Sequence, residues 1–177
     1  MYNKSNLNKW IKKQIKPNGM LVYNNGYLCD GKIIIKSDQT VHELLSKELK
    51  TWDQSPFQWK FNKFEFENDK ILNLEQILKV TSNASNKITR MTNLTLLFDK
   101  INCRLFVNND IIAINQDYLD LIAELEDCTI YGGNPTNPIL ISRNDSRNDE
   151  IQLLILPVRV NKSVLKDSID LLNGATI

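Results

Sequence analysis

The sequence predicts an α+β domain, with antiparallel strands packed against amphipathic helices. Two helical patterns and a set of short strands carry that prediction. In Gln116–Glu126, Tyr118, Leu121, Ile122 and Leu125 fall at i, i+3, i+4 and i+7, one face of a helix. In Asn6–Lys16, Leu7, Trp10, Ile11 and Ile15 gather on one side, and Lys9, Lys12, Lys13 and Lys16 gather on the other. Between and after these helices run short apolar or alternating stretches, divided by Asn, Asp, Gly and Pro, as strands joined by tight turns are.

The bulk properties set limits. A chain of 177 residues is one domain, or one domain with extensions, and it can bury a real core without disulfides. A net charge of +1 exerts no global pull on nucleic acid or membrane, so any DNA contact must come from a local patch. Cys29, Cys103 and Cys128 lie far apart and lack metal-ligand spacing; they read as free thiols in a reducing compartment, with no zinc site. MYNKSNLNKW has no apolar h-region and no run reaches transmembrane length, which predicts a cytoplasmic protein without a membrane partner.

In chain order, Asn6–Lys16 is the first helix and Pro17-Asn18-Gly19 stops it. Its lysine face suits sequence-independent contact with DNA phosphates, or it is simply solvated. Met20–Tyr23, Tyr27–Cys29 and Lys32–Lys36 are strands, with Asn24-Asn25-Gly26 and Asp30-Gly31 as turns. Thr40-Val41-His42-Glu43 matches a capping box that opens a helix to about Trp52. His42, the only histidine, lies at the edge of that helix's apolar face with no neighbouring nucleophile, so it reads as packing and not as a base or ligand. Phe57–Glu67 alternates aromatic and polar residues, with a change of phase near Asn62-Lys63 that predicts a turn or bulge. Leu72–Val80 is a helix and Thr81–Lys87 a loop. Ile88–Met91, Leu94–Asp99, Cys103–Asn108 and Ile111–Ile114 are strands, the last three joined by turns at Lys100-Ile101-Asn102 and Asn108-Asn109-Asp110. No internal repeat, Walker A loop, GxGxxG, HExxH or GxSxG occurs, and paired carboxylates are not indicated, so the chain reads as a non-enzyme without cofactor or metal.

Ile111–Val160 is the most informative stretch. A short strand leads into Asn115, a candidate N-cap, then the amphipathic helix, a strand, the run Pro138-Ile139-Leu140-Ile141, a polar hairpin, and a nearly unbroken apolar strand Ile151–Val160. The ordered set Asn115, Tyr118, Leu119, then Pro138–Ile141, then Leu156, Pro157, Val158, Arg159 and Val160 resembles the last domain of the bacterial sliding clamp, the DNA polymerase processivity factor. A weaker resemblance lies in Val22–Leu28, where Asn25 and Tyr27 replace the family's Asp and His.

That resemblance implies sheets outside and two principal helices, Asn6–Lys16 and Gln116–Glu126, on the inner side. It implies one clamp-like domain over 1–160 with an insertion around 37–90, followed by a helical extension 161–177 that the family lacks. It implies a non-catalytic factor that holds duplex DNA through Lys9, Lys12, Lys13 and Lys16, works as an oligomer, and tethers a DNA polymerase or another replication protein. Asn25, Tyr27, Leu156, Pro157, Val158, Arg159 and Val160 would line the partner-peptide groove. By its own amphipathic pattern, with Val164, Leu165, Ile169, Leu171 and Leu172, the tail either packs over that groove or joins a neighbouring subunit, or it completes the domain's own core. The acidic second helix, with Asp117, Asp120, Glu124 and Glu126, fits a DNA-lining role poorly. The other reading is a clamp-like interaction module, of phage or mobile-element type, that modulates replication proteins without encircling DNA.

Overall fold

The computed structural model describes residues 2–60, 63–66, 73–84, 89–107, 110–132, 135–143 and 150–160. Asn3 sets where the chain first turns helical: its side chain accepts from the Asn6 amide, opening α1 (Lys4–Gln14) two residues before the apolar pattern suggests. Lys12 and Lys13 in the last turn complement the helix dipole. Three short strands follow: β1 (Met20–Asn24), β2 (Tyr27–Cys29) and β3 (Ile33–Lys36). Asn25 and Gly26 both take positive φ, 49° and 79°, so a two-residue loop of the expected kind joins β1 to β2. Then come α2 (Gln39–Glu48), β4 (Phe57–Lys60), β5 (Lys63–Phe66) and α3 (Leu74–Ala84). The chain continues through β6 (Arg90–Phe98), β7 (Ile101–Val107), β8 (Ile111–Asn115), α4 (Gln116–Leu119) and a 3-10 turn at Leu125–Asp127. It closes with β9 (Cys128–Tyr131), β10 (Ile139–Arg143) and β11 (Glu150–Ile155).

The architecture is α+β and the strands pair antiparallel throughout. One sheet has eight strands in the order β5-β4-β1-β2-β3-β11-β10-β9, and a second has three, β6-β7-β8. Two units of one helix followed by three strands, α1-β1-β2-β3 and α4-β9-β10-β11, meet where β3 pairs with β11. Their strands run outward from that seam in mirrored order.

Alternation along the strands divides the core into two layers. Tyr23, Leu28, Ile35, Leu153, Ile141 and Ile130 stand opposite one another in register across six strands. They belong to the main core with Leu7, Trp10 and Ile11 of α1, Leu44 and Leu45 of α2, and Tyr118 and Leu119 of α4. On the opposite face Val22, Cys29, Ile34, Leu154 and Leu140 form a second row, packed with Leu74 and Leu78 of α3. The apolar runs in β3 and β11 are thus buried on both sides. His42 packs in an aromatic group with Tyr23 and Trp52, as its place on the edge of an apolar face suggests.

Several boundaries differ from the sequence reading, each for a local reason. The largest difference is the second helix. It ends at Leu119 and does not run to Glu126. The N-terminal segment takes the carbonyls that a continuing helix would use: Asn3 donates its amide to Leu121 O at 2.8 Å, and the Asn6 side-chain amide donates to Asp120 O at 2.9 Å. Tyr2 bridges Ile122 in the same place. Leu121 is buried, and Ile122 and Leu125 pack against the core outside any α-helix.

Asp38, not Thr40, caps α2, through its side chain to the Val41 amide. Asn73 accepts from the Gln76 amide at the start of α3, which runs through the expected loop residues Thr81–Ala84. The phase change in Phe57–Glu67 is a hairpin in which Trp59 pairs with Phe64. The two strands expected over Ile88–Met91 and Leu94–Asp99 are one strand, β6 (Arg90–Phe98), whose register shifts between Met91 and Thr95; Ile88 lies outside the described residues. Asp99 and Lys100, at φ 47° and 66°, make the next turn, one residue earlier than expected. The last strand stops at Ile155. Pro157 has no amide to donate, and Val158 leaves the large sheet to donate to Ala113 O on β8 at 2.8 Å. Within residues 37–90, β4 extends the large sheet and α2 fills the main core, while residues 161–177 lie outside the described residues.

Candidate nucleic-acid interface

The four lysines of the first helix are all exposed, but they do not form one surface. α1 lies between α2 and α4, and each flank meets different charges. Toward α2, Lys4 pairs with Glu43 at 3.0 Å and Lys12 with Glu48 at 3.4 Å. The Lys4 ammonium, through its hydrogen bond and then its charge, holds the Glu43 carboxyl below its ordinary pKa. Toward α4, Lys9 and Lys13, one turn apart, line a cleft of about 250 Å³ together with Asn6, Gln14, Asp117 and Asp120. Lys16 lies two residues beyond the helix end, its amide donating to Lys13 O at 3.4 Å. The helix thus presents Lys9 and Lys13 at i and i+4, with Lys16 just past its end and Lys12 drawn to the α2 side.

Beneath the cleft lies a carboxylate that the sequence offers only as part of a turn. Asp30 Oδ2 accepts from Trp10 Nε1 at 3.0 Å, Gln14 Nε2 at 3.1 Å and the Tyr118 hydroxyl at 3.1 Å. Its Oδ1 accepts from the amides of Lys32 and Ile33 at 2.9 and 3.0 Å. One residue of the β2–β3 turn therefore joins both helices that border the cleft. Burial, and then the neighbouring Asp30 charge, raise the Tyr118 phenol well above its ordinary pKa. An Asp-Gly turn predicts the hairpin, but nothing local in the sequence marks this longer-range role.

The far wall is anionic. Asn115 caps α4 through its side chain to the Asp117 amide at 3.0 Å. Arg104 Nε donates to Gln116 Oε1 at 3.0 Å, and Gln116 Nε2 donates to Asp120 Oδ1 at 2.7 Å, a chain that fixes the Asp120 carboxylate at the rim. Among the described residues no group of His, Cys, Asp and Glu is arranged to hold a metal ion, and no helix is long and apolar enough to cross a membrane.

The residues expected to line a partner groove fall into two places. Asn25 and Tyr27 lie at the β1–β2 loop, where Tyr27 pairs with Lys36 at one end of β3. Leu156 donates its amide to Lys32 O at the other end. Four residues of strand separate those ends, about 13 Å. Tyr27 packs with the outer layer over α3. Val158 and Val160 instead pack on the outer face of the three-stranded sheet with Cys103, Leu105 and Ala113, leaving Arg159 exposed. Leu156 is 41% exposed. The two sets thus border opposite ends of β3.

No family model matches the chain, and no curated protein matches it. Among solved structures it is similar to a crystal structure assigned as a DNA polymerase III beta subunit from Eubacterium rectale, with 15% identity and a TM-score of 0.35 over 90% of this chain and 67% of that one.

Proposed function

We propose that this chain is a clamp-like, non-catalytic domain that holds duplex DNA without reading its sequence and tethers a replication protein such as a polymerase. The observation that carries the reading is the ridge of Lys9 and Lys13 on α1 and Lys16 just past its end, exposed and, among the described residues, outside any ion pair. Positive charge with no base-reading partner suits phosphate contacts that fix position and carry no sequence information. The ordered match in Asn115–Val160 supports the clamp-like assignment. So does the disposition of α1 and α4, which pack into the same core against one face of the large sheet. We assign residues 1–160 to a single domain that includes 37–90, and 161–177 to an extension; a chain ending at Val160 should then fold by itself. The domain would act as an oligomer in the cytoplasm.

The test is fluorescence anisotropy of a short labelled duplex at low salt. Wild type should bind several sequences equally, and Lys9→Glu with Lys13→Glu should weaken binding and flatten its salt dependence by about one unit of slope per lost phosphate contact. An absence of binding by wild type at low salt ends this reading.

A second reading, a clamp-like interaction module, is favoured by the acidic wall of Asp117 and Asp120, which suits a mixed-charge protein surface better than a polyanion. Gel filtration separates the two: a ring-sized oligomer supports the processivity factor, whereas a monomer without DNA affinity supports the module.

A further inference from the structure

The cleft between α1 and α4 carries two lysines on one wall and two aspartates on the other. No ion pair among the described residues joins Lys9 or Lys13 to Asp117 or Asp120. The Asp120 carboxylate accepts from Gln116, itself held by Arg104. Asp117 sits in the first turn of α4, its amide fixed by the Asn115 cap. The two walls are kept at fixed relative positions by Asp30, which takes hydrogen bonds from Trp10 and Gln14 on one side and Tyr118 on the other. Asp120 is thus tied at the rim and Asp117 borders the same cleft, and neither forms an ion pair with Lys9 or Lys13 among the described residues.

We propose that Asp117 and Asp120 are affinity-limiting residues of the interface, built-in counter-charges that keep DNA bound loosely on the α1 ridge and off the α4 side. This rests on the DNA reading above. A phosphate seated on Lys9 and Lys13 would share one cleft with both carboxylates, so its attraction to the lysines would be offset in part by repulsion from the opposite wall. Two carboxylates roughly 10 Å from one phosphate in water weaken binding about fourfold by Coulomb's law. Salt screens that repulsion as it screens the attraction, so the counter-charges also make the affinity fall less steeply with salt. A polyanion held weakly and without sequence readout can slide, and an isosteric loss of these two charges would convert the ridge to a tighter grip.

The experiment compares the full chain with the Asp117→Asn, Asp120→Asn double variant on the same labelled duplex, at about 20 mM and about 150 mM salt. Asparagine keeps the acceptor that Gln116 uses. The expected result is up to about fourfold tighter binding at low salt, a smaller gain at the higher salt, and a steeper salt dependence than wild type. Adding Lys9→Glu and Lys13→Glu should abolish the gain. Equal affinities in a background where wild type binds and the lysine variant does not would overturn the inference and leave the DNA reading standing. A gain that survives reversal of the lysines would overturn it too, since the effect would not act through the cleft. If neither wild type nor the asparagine variant binds, both readings fall. Thermal melting checks that each variant is folded, and Asp117→Asn alone, which touches no side-chain partner, serves if the double variant is not; its expected gain is about twofold.

Discussion

The carboxylate of Asp30 accepts a hydrogen bond from the hydroxyl of Tyr118 at 3.1 Å, across 88 residues of chain. Asp30 belongs to the first helix-and-three-strand unit and Tyr118 to the second, so this contact joins the two halves beside the cleft. Trp10 and Gln14 donate to the same oxygen from α1. An ionised acceptor shared by three neutral donors makes stronger hydrogen bonds than a neutral one would.

Asp30→Asn should therefore destabilise the fold. The carboxamide that replaces the carboxylate would bring a donor toward three donors, or keep one acceptor of lower strength. The expected loss is about 2–3 kcal/mol, within the range for hydrogen bonds to charged groups plus partly unsatisfied partners. Tyr118→Phe removes one donor only and should cost about 1 kcal/mol. Urea unfolding of the two variants checks the order; a larger effect from Tyr118→Phe would contradict a shared acceptor.

Alkaline pH should destabilise the protein for a related reason. Burial raises Cys29 from 9.0 to about 11 and raises the Tyr2 and Tyr118 phenols well above 10.0; for Tyr118 the Asp30 charge adds to it. Between the unfolded and folded values the unfolded chain has released a proton that the folded chain retains. Stability then falls with rising pH, by about 1.36 kcal/mol per pH unit for each such group. The contribution of Cys29 is whole below about 9 and is lost through about 11, while the phenols begin to act near 10. Urea midpoints should decline from about pH 9 upward, and Tyr118→Phe should show a shallower decline above about pH 10 than wild type.

What the sequence makes legible is what repeats locally. The strands β1, β2, β3, β10 and the core of β11 fall where apolar runs and Asn-Gly or Asp-Gly turns place them, because period-two patterning and turn chemistry are local signals. The end of α4 is hidden from such a reading, because the groups that stop it, Asn3 and Asn6, lie more than a hundred positions away. Asp38 and Asn73 cap α2 and α3 from positions that the apolar patterns do not single out, and the two helix starts shift accordingly. For the candidate interface, the helical period groups the lysines correctly on the exposed side of α1. It cannot show that Glu48 takes one of them or that Asp117 and Asp120 face two others, since both facts depend on which elements flank the helix.

That division of the lysines yields a separate expectation. Lys12 is engaged by Glu48, whereas Lys9 and Lys13 border the cleft. If DNA follows the ridge, Lys13→Ala should remove one phosphate contact and flatten the salt dependence by about one unit of slope. Lys12→Ala should change the slope less, because that ammonium is already neutralised in part. Anisotropy titrations across a salt series measure both, and equal slopes for the two variants would show that the lysines act as one undivided face.

The residues after β11 offer a test of how they are used. Val158 donates its amide to Ala113 O on β8 and packs with Cys103 and Leu105, while Arg159 faces solvent. A groove-lining role would predict comparable sensitivity along Leu156–Val160 in partner binding and little in folding. The observed packing predicts the reverse for the valine. Val158→Asp exchanges an apolar contact for a carboxylate against an apolar sheet face and should destabilise the protein by about 2–3 kcal/mol. Arg159→Ala, on the exposed side of the same segment, should stay within about 0.5 kcal/mol of wild type. Urea unfolding distinguishes them directly. Near-equal midpoints for Val158→Asp and wild type would mean that the segment can leave β8 freely, and would return it to consideration as a partner-binding strand.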